Sequence, residues 1–242
     1  MNIKELMDRA LFALSVPKCV CCGEILDYGQ RAFCSLCQQI FEEFATRNCS
    51  RCARVLNECD CSNLFLETHF VKRVVKCYRY QSDNKNTPSA RLIYSLKRDN
   101  RRDVLDVSTD LLLKALSNSL GDISDCIITN IPRRKSAIVE YGIDHSAILA
   151  ENIAIKSGAE YISFFKSNAK HEQKSLDSLE RRRNADFSLI KEMDLKGRRV
   201  IIVDDIITSG ASMSNAATLI RSLGAKDIIA ACLAIAYKED YI

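Results

Sequence analysis

The run Val200-Ile201-Ile202-Val203 stops at two adjacent carboxylates, Asp204 and Asp205, and no other stretch constrains the fold of this chain so tightly. A short apolar run of this kind reads as a buried strand that delivers acids to the edge of a sheet. A turn of hydroxyls and one glycine follows at Thr208-Ser209-Gly210-Ala211-Ser212, and then a helix-like segment. That turn can offer backbone N–H groups, hydroxyls and the positive end of a helix to a monophosphate. Asp204 and Asp205 can accept hydrogen bonds from two neighbouring ribose hydroxyls. Together these parts describe a site for a phosphorylated sugar. The magnesium strand of a P-loop nucleotide hydrolase also ends in acids, but it requires a Gly-rich loop closing on Gly-Lys-Ser/Thr. None exists among the 242 residues.

The surrounding pattern places this strand in an α/β domain. Val71 to Tyr80 reads as a strand, and residues 83–88 as an exposed loop. Helical patterns follow at Ala90 to Leu96 and Val104 to Leu116. Cys126 to Ile131 is then a strand, Ser146 to Lys156 a helix closed by Gly158, and Tyr161 to Phe165 a strand. After Val200 to Val203 come a helix at Ser214 to Leu223, capped by Gly224, and a final strand at Ile228 to Ala236. Alternating short strands and helices predict a mostly parallel central sheet covered on both faces. Ligands then sit at the carboxyl ends of strands, where Asp204 and Pro132 are expected. No internal repeat is evident.

Twelve cysteines are present, and eight form close pairs near the N-terminus: Cys19/Cys22, Cys34/Cys37, Cys49/Cys52 and Cys59/Cys61. Two thiolates on a tight turn can hold one tetrahedral ion, and a second such turn completes its shell. Taken in order, the first two pairs predict one four-thiolate zinc site and the last two another. The final pair is Cys-Asp-Cys rather than Cys-x-x-Cys, and Cys21 beside Cys22 is an alternative ligand. A disulfide framework fits poorly, because Lys4, Glu5, Asp8 and Arg9 interrupt any signal-peptide reading and reducing cytosol disfavours disulfides. The expected location is cytoplasmic and the expected zinc role structural. Cys77, Cys126 and Cys232 stand in apolar contexts and read as core. The expected division is an N-terminal helix and double cysteine module over residues 1–66, followed by the α/β domain over residues 67–242.

A chain that is 47% hydrophobic can bury a substantial core. No apolar run reaches the roughly 20 residues of a membrane span, so membrane insertion is not expected. Leu6, Met7, Ala10, Leu11 and Leu14 instead form a helical stripe. The net charge of +4 does not identify a nucleic-acid binder. Basic residues nonetheless cluster at Lys97-Arg98, Arg133-Arg134-Lys135 and Arg181-Arg182-Arg183, which favours a polyanionic ligand for some of them.

The order of these motifs resembles the ComF family, competence-associated proteins similar to amidophosphoribosyltransferases, with a type I phosphoribosyltransferase fold behind a double zinc ribbon. The resemblance rests on the cysteine block, Tyr94-Ser95-Leu96-Lys97-Arg98, and Ile131-Pro132-Arg133-Arg134-Lys135 with Tyr141-Gly142 downstream. It continues through Gln173-Lys174-Ser175-Leu176 and Arg181-Arg182-Arg183-Asn184 to the acid-rich loop. It implies that phosphoribosyl pyrophosphate (PRPP) binds with its 5′-phosphate on Thr208, Ser209, Gly210, Ala211 and Ser212, and its ribose on Asp204 and Asp205. It also implies Mg²⁺ bridging ribose and pyrophosphate, with Lys97, Arg133 and Arg134 among the PRPP contacts. Residues 170–184 resemble a mobile loop that brings Lys174 or Arg181 to the leaving pyrophosphate. The catalytic set so implied is Asp204, Asp205, Lys174 and Arg181, transferring a phosphoribosyl group to an unidentified nucleophile. The alternative it implies is an adaptor handling single-stranded DNA in natural transformation, beside a competence helicase-type partner, with PRPP only a ligand. The chain departs from the family pattern at Glu140-Tyr141-Gly142-Ile143-Asp144, where Arg-Gly-Phe-Asn is common. It also lacks the glycine after Lys174, and has Ala185-Asp186-Phe187 in place of Gly-Ala-Phe.

Overall fold

The computed structural model describes residues 16–80, 84–133, 138–140, 142–168 and 187–236. Arg134, Lys174, Arg181 and the stripe from Leu6 to Leu14 lie outside the described residues. The centre is a five-stranded sheet built from β1 (Val71–Arg79), β2 (Ile127–Asn130), β3 (Glu160–Tyr161), β6 (Arg199–Ile207) and β7 (Asp227–Ile235). Its order is β1-β7-β6-β2-β3, and every pair is parallel. Two further strands, β4 (Phe165–Ser167) and β5 (Phe187–Leu189), pair antiparallel as a separate small sheet. The expected strand at Tyr161 to Phe165 is therefore split: its start joins the main sheet and its end turns off into the small one.

Both faces of the sheet are covered, which explains the unbroken apolar runs in β6 and β7. Ile201 and Val203 of β6 pack into a core shared with helices α3 (Pro88–Arg98), α4 (Arg102–Leu120) and α5 (His145–Ser157). Val200 and Ile202 point the other way, into a core with α6 (Ala211–Ser222) and the small sheet. Local chemistry fixes the helix ends. The Thr87 hydroxyl accepts from the Ala90 N–H at 3.3 Å with Pro88 in the first turn, starting α3. The Asp144 carboxylate accepts from the Ala147 N–H at 3.1 Å, starting α5, and Gly158 ends it at φ +75. No helix among the described residues is long and apolar enough to cross a membrane.

The cysteine block packs onto the same body. Helix α1 (Ser35–Ala45) and the four-residue α2 (Leu64–Glu67) flank it, and Cys19, Leu26, Phe33 and Phe41 join the α3–α5 core. Two of its turns are copies of one design. Cys19 O accepts from Gly23 N at 3.0 Å and Cys49 O accepts from Ala53 N at 2.9 Å, while Cys19 N and Cys49 N donate to Glu24 O and Arg54 O. Gly23 at φ +77 and Ala53 at φ +57 occupy equivalent left-handed positions. A short repeat thus exists where the sequence showed none, hidden because alanine stands at the strained position of the second copy.

Candidate functional site

Strand β6 carries Asp204 and Asp205, but not at its end. The strand continues for two residues beyond them, Ile206 and Ile207, because these still pair with Ala234 and Ile235 of β7. The pleat separates the two carboxyls. Asp205 is buried, 4% exposed, and faces Lys97 Nζ at 2.9 Å and an Arg133 guanidinium nitrogen at 3.4 Å. Asp204 lines a hollow of about 40 Å³ together with Ile206, Ile207, Thr208, Ser209, Gly210, Ala211, Ser212 and Met213. The turn after the strand therefore wraps an anion-sized space with an acid at its rim. Helix α6 begins at Ala211, so its first-turn N–H groups, of which Ala211 N donates to Ser209 Oγ at 3.4 Å, and its positive dipole end belong to the same turn.

Gly210 is fixed twice over. Its φ is +81, and a Cβ there would stand 3.0 Å from the Leu66 side chain of α2. The linker out of the cysteine block thus braces the turn from behind.

Asp204 is short of positive charge. Burial and then the neighbouring charge of Asp205 raise its carboxyl to about 7, against hydrogen bonds from Asp205 N at 2.8 Å and the Ser146 hydroxyl at 3.2 Å. Lys97 and Arg133 pair with Asp205 directly, whereas Lys97 lowers the outer acid only through its field, a smaller effect than burial and the Asp205 charge. That asymmetry leaves one carboxylate neutralised and the other ready for an incoming cation or hydroxyl donor.

Around Arg133 the structure assembles residues that the sequence reading passed over. The Arg133 backbone N–H donates to Asp144 Oδ2 at 3.0 Å, and its guanidinium donates to His145 Nδ1 at 3.1 Å. His145 Nε2 then donates to Asn100 Oδ1 at 2.8 Å. An imidazole that accepts at one nitrogen and donates at the other is neutral with its proton on Nε2. Burial first, and the Arg133 charge second, hold its pKa below the usual value. The cap position of Asp144, just ahead of the helix expected from Ser146, was a signal available in the sequence; a single buried histidine carries none.

The cysteines gather as the spacing predicts. Cys19, Cys22, Cys34 and Cys37 form one group and Cys49, Cys52, Cys59 and Cys61 another, all sulfurs within 4.8 Å of one another in each. Cys21 is outside the first group, its thiol donating to Asn86 O at 3.6 Å. A zinc–sulfur bond of about 2.3 Å implies a tetrahedral edge of about 3.8 Å. The Cys22–Cys34 and Cys52–Cys59 separations of 3.7 and 3.5 Å match that edge. Each group could hold a metal ion. The odd Cys-Asp-Cys spacing has a plain cause: Cys59 is extended at φ −109, ψ 133, and Cys61 bridges antiparallel to Arg73 of β1. In extended chain, residues two apart share a face, so Cys59 and Cys61 converge while Asp60 turns away to Arg54 at 3.1 Å.

Comparison with known proteins supplies the context. The chain is 24% identical over 229 residues to the DNA utilization protein YhgH of Escherichia coli O157:H7, covering 91% of this chain and 98% of that one. It is 42% identical over 72 residues to ribose-phosphate pyrophosphokinase 2 of Archaeoglobus fulgidus, spanning 28% of this chain but only 26% of that relative. Among solved structures, the purine phosphoribosyltransferase of Pyrococcus horikoshii aligns with a TM-score of 0.37 at 20% identity, over 57% of this chain and 76% of the other. Residues 144–241, from the start of α5 through β7, match the family model of the phosphoribosyl transferase domain.

Proposed function

We propose that the chain is a PRPP-binding, Mg²⁺-dependent phosphoribosyltransferase of the ComF type whose acceptor is a nitrogen nucleophile. The observation that carries this reading is the hollow wrapped by the Thr208–Ser212 turn with Asp204 at its rim. The match to a phosphoribosyl transferase domain over the same residues supports it.

In this reading the Thr208 to Ser212 turn and the α6 N-terminus hold the 5′-phosphate, and Asp204 and Asp205 accept from the ribose hydroxyls. Lys97 and Arg133, both at Asp205, are in reach of a diphosphate, and a guanidinium fork suits its oxygens. His145 and Asp144 hold Arg133 in place from the other side. The under-compensated Asp204 fits a hydrated divalent cation; when bound, Mg²⁺ would offset the charge that builds on the departing diphosphate. Cleavage at C1 leaves a positive ribose ring and a negative leaving group. Fixing the phosphate at one end and the diphosphate at the other orients the ring for attack. Lys174, Arg134 and Arg181 complete the set in the family pattern and lie outside the described residues. The two cysteine groups hold structural zinc.

Mg²⁺-PRPP titrated into the wild-type protein and into the double variant Asp204→Ala/Asp205→Ala tests the assignment. Saturable binding lost in the double variant supports it; equal binding by both removes the site. The YhgH similarity over nearly the whole chain favours a second reading, an adaptor that handles single-stranded DNA. That reading predicts salt-sensitive binding to single strands, and no binding at low ionic strength would end it.

A further inference from the structure

Lys76 is fully buried in the middle of β1, at 0% exposure, and nothing in the phosphosugar chemistry above uses it. Its neighbours Val75 and Cys77 pack toward the α3–α5 core, which leaves Lys76 on the opposite face with Val74. The ammonium donates to Cys59 Sγ at 3.4 Å, to Cys61 O at 2.8 Å and to Val74 O at 3.2 Å. Three N–H bonds meet three acceptors, so its donors are satisfied. Among the described residues no carboxylate lies within ion-pair distance of it.

A buried cation persists only beside a compensating anion, and the acceptor here that can carry charge is a thiolate. Four thiolates around one divalent ion retain two net negative charges, and a buried complex of that kind needs a cation as much as Lys76 needs an anion. We propose that Lys76 is the built-in counter-cation of the second cysteine group, holding its metal complex against the edge of the sheet. This rests on the zinc reading of that group. The first group differs in burial: its Cys22 is exposed, and solvent can balance its charge. The backbone repeats the attachment, with Val74 N donating to Asp60 O at 2.9 Å and the Ser62 hydroxyl to Val71 O at 2.8 Å. Lys76 also pairs in register with Cys232 of β7, and Cys232 with Asp204 of β6. The second metal centre is thereby tied, through one row of the sheet, to the strand that carries the acids.

The test uses the full chain and counts zinc by elemental analysis, then follows its release to a colorimetric chelator. Wild type should hold two zinc ions. Lys76→Met removes charge and donors, Lys76→Gln keeps donors without charge, and Lys76→Arg keeps the charge. Partners that support metal ligands are typically worth 10–100-fold in metal retention. The neutral variants should therefore release one of the two ions at least about tenfold faster, or lack it, while Lys76→Arg keeps both. If Lys76→Met does not fold, Lys76→Gln against Lys76→Arg makes the same comparison. Two ions retained with unchanged release in either neutral variant overturns the proposal and leaves the zinc reading intact. A wild type that holds no ion in the second group overturns both.

Discussion

Replacing Asp204 by asparagine should stabilise the ligand-free protein, and the gain should grow with pH. The carboxyl is raised from 3.8 to about 7 by burial and by Asp205. A group raised in the folded state contributes stability that is complete below its unfolded value and is lost as pH climbs through the folded one. At 1.36 kcal/mol per pKa unit the loss has a ceiling of about 4 kcal/mol above pH 7. Asp205 shares the coupling and local relaxation reduces it, so half of that ceiling, about 2 kcal/mol, is the working figure. Asparagine keeps an oxygen for the Ser146 and Asp205 donors, so its hydrogen bonds survive the change. In thermal unfolding at pH 8 the variant should melt roughly 4–8 °C above wild type. At about pH 4.5 the advantage should fall to about half, because the unfolded chain is already largely ionised there while the folded site is not. Melting curves of both proteins from about pH 4.5 to about pH 8.5 read it directly. An advantage that does not vary with pH, or a variant less stable at about pH 8, refutes the claim that Asp204 is under-compensated.

Gly210→Ala combines a left-handed backbone with a Cβ at 3.0 Å from Leu66. It should cost about 1–3 kcal/mol in urea unfolding and weaken Mg²⁺-PRPP binding by isothermal titration. His145 has the opposite pH sign to Asp204: its lowered pKa makes the folded state resist protonation, so wild type should lose stability relative to His145→Gln as pH falls below about 6.5. Paired urea titrations at pH 7.5 and 5.5 check it. Thr87→Ala removes the hydroxyl that caps α3, the helix bearing Lys97, and should lower stability by about 1 kcal/mol in the same assay. Under the proposed zinc assignment, chelation should unfold the turns around Cys19 and Cys49 before the sheet, seen as early loss of amide protection in residues 16–61 by hydrogen exchange.

Much of this was legible in the sequence, for identifiable reasons. Parallel strands covered on both faces need unbroken apolar runs, and β6 and β7 supply them. The Gly158 cap was read as local chemistry, and the structure places α3 and α5 close to the expected bounds while adding the caps at Thr87 and Asp144. Cysteine spacing encodes turn geometry, so both thiol groups were readable, whereas the choice of Cys22 over Cys21 needed tertiary placement. What failed was whatever depends on partners distant in sequence. Asp204 and Asp205 looked terminal because apolar character breaks there, yet β7 continues to pair with Ile206 and Ile207. Phe165 left the predicted strand because its partner is Leu189, across an intervening segment. His145 and Lys76 carry no local pattern. One is defined by Arg133 and Asn100, the other by the Cys59 sulfur seventeen residues upstream.

Calorimetric titration of Mg²⁺-PRPP into the intact chain tests the central claim most directly. Saturation at one equivalent, abolished in Asp204→Ala/Asp205→Ala and competed by ribose 5-phosphate, is the predicted result. Absence of heat with wild type, or an isotherm that the double variant reproduces, would contradict it.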